Sequence, residues 1–425
     1  MRRIAVSSVV ISILIVAVVV AASAAYTGYQ MSQYSAQVSA LSSEVRSLNV
    51  TIASQQQAIE SQLGGLSSQQ SALQSQLGGL SSQQSALQSQ LSELRSSMEF
   101  PASAVDATGQ QIVVYSMPTH IVSLMPSDTA IIFAVGAGPQ VVGVDKYSNW
   151  PPYLSSLEAN GTIKNIGSGW YPDPEVILST RPDIVFGVSS VPSNYALKQQ
   201  FASYGIPVVL LPDNTIEDVV QSIYTVGKLT GHEATAQLLA ENVTTELRFA
   251  EDNVVGLNST PTALIVWPSP IWVAGNGTWE DQMITAAGGS NVFSNVSGWE
   301  PVDPEALLVE KPQVIIYTAG HGEFNYTEFM STLYQELGPA ANSVPAIANG
   351  RVYAVTGAYN DWLTEPGPFV GDGTILLSVL IHPEAYGMNY TAIPHVVSPE
   401  TFSLPVPSSL PVISTPNYVP AVSSP

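Results

Sequence analysis

The apolar and polar positions of this chain change pattern four times. Ile4 to about Ala25 is uncharged and almost wholly apolar, long enough to span a bilayer, which takes about 20 such residues. From Met31 to Met98 the apolar positions recur at alternating three- and four-residue steps. They run from Val38, Leu41, Val45, Leu48 and Ile52 through Ile59, Leu63, Leu66, Leu73, Leu77, Leu80 and Leu87 to Leu91 and Leu94. One doubled four-step near Ile52 reads as a stutter. Residues 61–74 recur unchanged as 75–88, and Gln70 and Gln84 occupy core-type positions, as register-setting polar residues do. This predicts a coiled-coil stalk, on the order of 100 Å at about 1.5 Å per residue, with self-association through its seam and its oligomeric state open. The competing reading is a flexible Ser/Gln/Gly linker, because Gly64-Gly65 and Gly78-Gly79 each weaken a helix by about 1 kcal/mol per Gly. Either way the segment is a spacer.

After Pro101 short apolar runs alternate with helical patterns. A hairpin opens at Val105–Gln110. Strands are expected at Ile121–Leu124, Val141–Val144, Ile184–Phe186 and Val208–Leu211, with helices near 127–136, 174–180 and 193–204. A long helical pattern from about Thr215 to Val255 could join two lobes, with a kink at Thr230-Gly231-His232. A second alternation comes next, with strands at Ala263–Trp267, Ile271–Ala274, Val314–Tyr317 and Val352–Val355 and helices near 279–287, 304–310, 327–337 and 367–380. Beyond about Pro394 the chain is Pro-, Ser- and Val-rich without a period. The expected division is an anchor at 1–25, a stalk at 26–99, an N-terminal lobe at 100–213, a linking helix at 214–256, a C-terminal lobe at 257–388 and a tail at 389–425. The fold class is α/β, two Rossmann-like lobes joined by one long helix.

The two lobes share a repeated passage. Ser168-Gly169-Trp170-Tyr171-Pro172-Asp173-Pro174-Glu175 leads through Val176-Ile177-Leu178 to Arg181-Pro182-Asp183 and an apolar run. Ser297-Gly298-Trp299-Glu300-Pro301-Val302-Asp303-Pro304-Glu305 leads likewise to Lys311-Pro312-Gln313 and another. In each copy Asp suits the N-cap, Pro the first helical position and Glu the positive helix end. The next Pro stops the helix before a strand that reads as buried on both faces. Two such copies, each opening on a Trp, predict two similar lobes with a cleft between them.

Composition narrows the function. The net charge is −21, yet only 11% of residues are charged; Lys and Arg are scarce, which argues against nucleic acid as a partner. An acidic exterior, where carboxylates are protonated, would fit. There is no cysteine, so disulfides, thiolate chemistry and a lipidated-cysteine anchor are excluded. Arg2 and Arg3 precede the apolar run, so positive residues stay inside and the rest of the chain faces out. Ala22-Ser23-Ala24 would suit signal cleavage; the length of the run favours an uncleaved anchor on the cell surface. Eight Asn-x-Ser/Thr sequons, from Asn49 to Asn389, lie on that outer side. There is no Gly-x-Ser-x-Gly elbow and no Walker loop, so an enzyme is not expected. The His residues are scattered and give no metal cluster; His321, at the end of a second-lobe strand, reads as a loop histidine or as a haem or metal ligand.

A further set of passages is His120–Ala130, Val141–Pro152, Leu229-Thr230-Gly231, Ala286–Phe293, Asn349–Tyr353 and the closing His382-Pro383-Glu384. In this order they resemble the ABC-importer binding proteins that capture cobalamin, ferric siderophores and haem. Tyr147-Ser148-Asn149-Trp150-Pro151-Pro152 and Asn360-Asp361-Trp362 are similar to the cobalamin-binding type in particular, and Val188 departs from it where that type carries a Trp. The resemblance implies a class III binding fold, a ligand-binding cleft using Trp150, Trp170, Trp267 or Trp272, Trp299 and Trp362, and two docking acids, Glu175 and Glu305, facing the permease and its ATPase. Asp361, Ser127 and Asp128 are candidates for polar contacts. Several Trp at strand ends suit a large, flat, nearly neutral ligand, whereas anionic ferric catecholates call for Arg or Lys clusters. The expected function is corrinoid capture for import, with no cofactor of the protein's own; a ferric siderophore or haem is the alternative ligand, and a stalked adhesin the alternative class.

Overall fold

The computed structural model describes residues 8–407 apart from Ser269. Arg2, Arg3, the start of the apolar run and the tail beyond 407 lie outside the described residues, as do the side chains of Leu91 and Leu94. The chain divides into two compact units, residues 1–90 and 91–425.

The described residues of the first unit all belong to helix α1, Ser8–Glu99, which passes without a break through both Gly pairs. It is therefore a helix and not a flexible linker. Its N-terminal part is long and apolar enough to cross a membrane.

The second unit opens on a hairpin, β1 (Ala102–Val105) and β2 (Gln111–Val114). A buried Lys198–Asp106 ion pair of 2.6 Å ties it to the first lobe, and Ala107 N donates to Leu210 O. The N-terminal lobe then runs β3 (Ile121–Ser123), α2 (Pro126–Ala134), β4 (Val141–Val144), α3 (Leu154–Ala159), β5 (Lys164–Asn165), α4 (Pro174–Leu178), β6 (Ile184–Val188), α5 (Pro192–Ala202) and β7 (Val208–Leu211). Its five strands pair in the order β5-β4-β3-β6-β7, and every pairing is parallel. Helices cover both faces, which is why β6 and β7 are buried at every residue.

The segment between the lobes corrects the expectation of one long linking helix. It forms α6 (Ile216–Thr230) and α7 (Glu233–Val254). Thr215 and Asp218 close a capping box on α6, and Gly231 ends it in the left-handed region at φ 78°. Beyond it the chain turns back so tightly that a Cβ on Gly227 would run into that of Ala236. Residues nine apart in a continuous helix would be separated by about 13 Å.

The C-terminal lobe runs β8 (Thr260–Pro268), β9 (Ile271–Ala274), α8 (Trp279–Ala286), β10 (Gly289–Asn291), β11 (Trp299–Val302), α9 (Glu305–Glu310), β12 (Val314–Thr318), α10 (Tyr326–Leu337), α11 (Pro345–Ala348), β13 (Val352–Val355), α12 (Ala358–Thr364) and α13 (Val370–Ile381). Its sheet is ordered β11-β9-β8-β12-β13-β14, with β10 beside β8. The last strand, β14 (Val396–Val397), lies in what the sequence suggested was an extended tail; it pairs parallel with β13. Val397 and Phe402 are buried, and Tyr359 donates to Phe402 O, so this lobe reaches past residue 400.

Candidate ligand-binding cleft

In a parallel sheet every strand delivers its following loop to the same edge, and ligands bind there. In the N-terminal lobe that edge carries Met125 and the start of α2, the loop 145–153 after β4, and the loops after β5, β6 and β7. In the C-terminal lobe it carries the β8–β9 hairpin, the loop after β12 with His321, and the start of α12. The two edges meet. Asn149 Nδ2 donates to Asp361 Oδ2 at 2.9 Å and lies 3.2 Å from His321 Nε2, which is 2.7 Å from Asp361 Oδ1. Trp150, next along the same loop, sits edge-on to Phe369 at 5.3 Å. A Cβ on Gly367 would lie 3.7 Å from the backbone of Ser127, so the first turn of α2 packs on the segment leading to α13.

The floor of this junction is acidic. Asp128, in the first turn of α2, is buried and its Oδ2 has no partner. Burial holds its carboxyl well above the ordinary range, and the nearby Asp213 and Asp145 add to this. Asp145 is raised by burial although Ser148 and the backbone of Tyr147 and Ser148 donate to it. Asp213 is likewise raised by burial while accepting from Ser189 and Ser190. Across the junction burial raises half-buried Glu365, with Asp361 and Asp145 contributing. Carboxyls raised in this way hold their protons more tightly, so the floor offers hydrogen-bond donors as well as acceptors.

The aromatic candidates divide. Trp150 is half-buried at the lobe junction. Trp170 is 52% and Trp267 67% exposed, free to meet a ligand. Trp272 is half-buried and pairs with Trp267 across the hairpin. Trp299 is half-buried beside Trp279 at 4.9 Å, and its Nε1 donates to Glu280 Oε1 at 3.0 Å. It pairs with Ala274, three residues along β9 from the hairpin end that carries Trp267 and Trp272. Trp362 is 6% exposed and packs on Tyr359 at 4.5 Å. Three residues apart on α12, the two rings turn the same helix face into the core. Its neighbour Asp361, 8% exposed, makes the contacts to Asn149 across the junction and to His321. Ser127 is buried at the junction, and Val188 is buried in β6.

Glu175 and Glu305 are exposed at the starts of α4 and α9, one on each lobe. Asp173 caps α4, its Oδ1 accepting from Glu175 N and Val176 N. In α9 the cap position falls to Pro304 without a side-chain bond, which corrects the expectation that Asp303 caps in the same way. Residues that sequence reasoning passed over are Asn149 as a cross-lobe donor, Phe369, Glu365 and the Trp279–Glu280 support of Trp299. A cavity of about 490 Å³ between α6, α7 and α8, lined by Glu217, Glu251 and Asp281 among others, contains none of the aromatic candidates.

Comparison with known proteins fits this architecture. Residues 121–359 match the family described as periplasmic binding protein. An uncharacterised ABC transporter substrate-binding lipoprotein of Bacillus subtilis (strain 168) is 26% identical over 293 residues, 68% of this chain and 87% of the relative. A vitamin B12-binding protein of Pectobacterium atrosepticum is 26% identical over 208 residues, covering 48% of this chain and 72% of that one. Among solved structures, a periplasmic haem-binding protein of Roseiflexus sp. RS-1 superposes with a TM-score of 0.52 at 26% identity, covering 63% of this chain and 99% of its own. A family match over more than half the chain, on two lobes whose strand ends face each other, is decisive: the chain belongs to the periplasmic binding protein family and is a solute-binding protein, not an enzyme.

Proposed function

We propose that this protein captures a corrinoid of the cobalamin type in the interlobe cleft, outside the cell, and hands it to the permease of an ABC importer. One observation carries the choice of ligand: the junction is aromatic and carboxyl-rich, and Lys and Arg do not cluster on it. Lys146 lies over the Tyr147 ring at 4.6 Å. Arg351 donates to the carbonyls of Leu380 and Ile381. Arg181 and Arg248 stand on a helix exit and on α7. A large, nearly neutral ligand with amide donors suits such walls, and a polyanionic ferric catecholate does not. The similarity to vitamin B12-binding relatives points the same way.

Haem is the second reading. It is favoured by His321, whose exposed imidazole stands at the cleft mouth, and by the similarity to a haem-binding protein. Titration of the protein with cyanocobalamin, haem and a ferric chelate, followed by Trp fluorescence, separates the readings. Quenching that saturates with cyanocobalamin alone supports the corrinoid. Saturation with haem alone, abolished by His321→Ala, replaces it with the second reading. A response to the ferric chelate alone refutes both, and no response to any of the three would favour an adhesin.

Glu175 and Glu305 are the proposed docking points on the permease. Reversing both charges (Glu175→Lys with Glu305→Lys) should abolish permease binding while leaving ligand titration unchanged; binding that persists refutes the assignment. The apolar start of α1 is the proposed tether, since a chain without cysteine cannot carry a lipidated one.

A further inference from the structure

We propose that α1 pairs with α1 of a second copy, parallel and in register, as a two-stranded coiled coil. This inference does not rest on the ligand. Twelve apolar seam positions between Val38 and Leu87 are 50–70% exposed on one uninterrupted helix. At roughly 60–120 Å² of apolar burial per side chain, the seam supplies on the order of 1,000 Å² per chain, above the roughly 800 Å² per partner of a standard interface. The occupant follows from residue types. Before the stutter, Val38, Val45 and Ile52 take the a positions and Leu41 and Leu48 the d positions; β-branched a with Leu at d favours two strands.

Register and direction follow from the same seam. Gln70 and Gln84 take a positions. In register each amide meets its own copy, while a one-heptad slip sets it against Leu77 and leaves it unpaired in an apolar seam. A two-heptad slip would superpose the repeated passages, yet it would set the stutter after Ile52 against an unbroken heptad. The flanking positions Ser67, Gln69, Gln74 and Gln76 are uncharged, and the charged ones between Val38 and Leu87, Glu44 at g and Glu60 at e, face Asn49 and Gln55 of the second copy in register, so identical chains align there without like-charge contact. The Gly pairs fall on the outer b and c positions, where an added Cβ would meet nothing within 4 Å. The apolar start of the helix would hold both copies in one membrane by the same end, which also fixes the parallel direction.

The chain has no cysteine, so single substitutions report only the intended contact. In the full-length, detergent-solubilised protein under mild oxidation, Leu66→Cys at d should form a disulfide-linked pair at least tenfold faster than Ser68→Cys at the outward f position. Leu41→Cys should do the same, and a mixture of differently tagged Leu66→Cys and Leu80→Cys chains should give few mixed pairs. Detergent-corrected light scattering should give twice the 45.0 kDa chain mass. Equal rates at positions 66 and 68, or a single-chain mass, overturn the pairing. A threefold mass overturns the strand number, and abundant mixed pairs overturn the register.

Discussion

The two copies of the repeated passage share a frame and differ in what they do with their tryptophan. From 171 to 189 and from 301 to 319 the order of exposed, half-buried and buried residues is the same at every position. Each passage leaves its helix through a non-glycine residue in the left-handed region, Lys311 at the cap of α9 (φ 48°) and Arg181 three residues past the end of α4 (φ 53°), the two such residues among those described. Both then pass through Pro into a fully buried parallel strand. Ahead of Asp-Pro-Glu the copies diverge by one residue, since Val302 has no counterpart. The first copy stays a loop and leaves Trp170 exposed. The second forms β11 against β9 and holds Trp299 on Glu280. Local chemistry thus fixes helix, exit and strand, while each Trp takes its setting from its own lobe.

The largest test of that difference is electrostatic. Glu280 is fully buried, and burial pushes its carboxyl from 4.5 up to about 8 against the opposing hydrogen bond from Trp299. Because the folded pKa is the higher one, the proton is held more tightly in the folded state. The stabilisation is complete below about pH 4.5 and is lost as pH rises to about 8. At about 1.4 kcal/mol per unit it amounts to as much as about 5 kcal/mol. Denaturant unfolding from pH 4 to 9 should show Glu280→Gln flattening this slope and gaining stability over the parent toward pH 8. Trp170 is exposed and leans on no buried carboxylate of this kind among the described residues, so Trp170→Ala should leave the slope unchanged. A Glu280→Gln profile parallel to the parent's would remove the distinction between the two settings.

Packing gives the next effect. Trp299→Ala removes a ring seated against Trp279 and takes one hydrogen-bond donor from Glu280; a loss of about 2–4 kcal/mol is expected. Trp170→Ala removes an exposed ring and should change stability by less than about 0.5 kcal/mol. If Trp170 meets the ligand, the same substitution should instead weaken ligand quenching several-fold, so one pair of variants read by unfolding and by titration separates support from contact. Equal stability losses would show that Trp170 is packed like its counterpart.

Smaller still is the cap. Asp173→Ala should cost about 1 kcal/mol, because two backbone N–H groups of α4 lose their acceptor. Asp303→Ala should cost little, because no side-chain cap bond is made there. Chemical denaturation at fixed pH measures both; a matching loss at Asp303 would restore the symmetry that the sequence suggested.

How much of this was legible depended on the length and local character of each signal. The runs Val141–Val144, Val208–Leu211, Ile271–Ala274 and Val352–Val355 coincide with their strands, because a short apolar run between turn residues has few alternatives when both faces are buried. The edge strands at Lys164-Asn165 and Val396-Val397 are two residues long and carry no period. The break at Gly231 was visible as a kink, but the fold-back depends on Ala236 meeting a side-chain-free Gly227, which is a tertiary fact. At the cleft, residue types pointed to aromatic contact and to Asp361. The Asn149–Asp361 hydrogen bond joins residues 212 apart, and nothing near either residue announces it. Tyr359-x-x-Trp362 did carry a local signal for core packing, in its three-residue spacing.

The finest test of the shared frame lies at the helix exits. An L-residue in the left-handed region costs about 1–2 kcal/mol, while glycine there costs nothing locally but loses more chain entropy on folding, by about 0.5–1 kcal/mol. Arg181→Gly and Lys311→Gly should therefore each stabilise the protein by about 0.5–1 kcal/mol. Both side chains are exposed, so lost charge contacts should add little. The informative quantity is the difference between the two gains, measured by denaturant midpoint at one salt concentration and one pH. Equal gains, additive in the double variant, mean that the two exits are set by the same local geometry and are independent, as sites in separate lobes should be. A gain at one exit and a loss at the other would mean that one of these left-handed residues is held by contacts particular to its lobe, and the common frame would then end at the helix rather than run on into the strand.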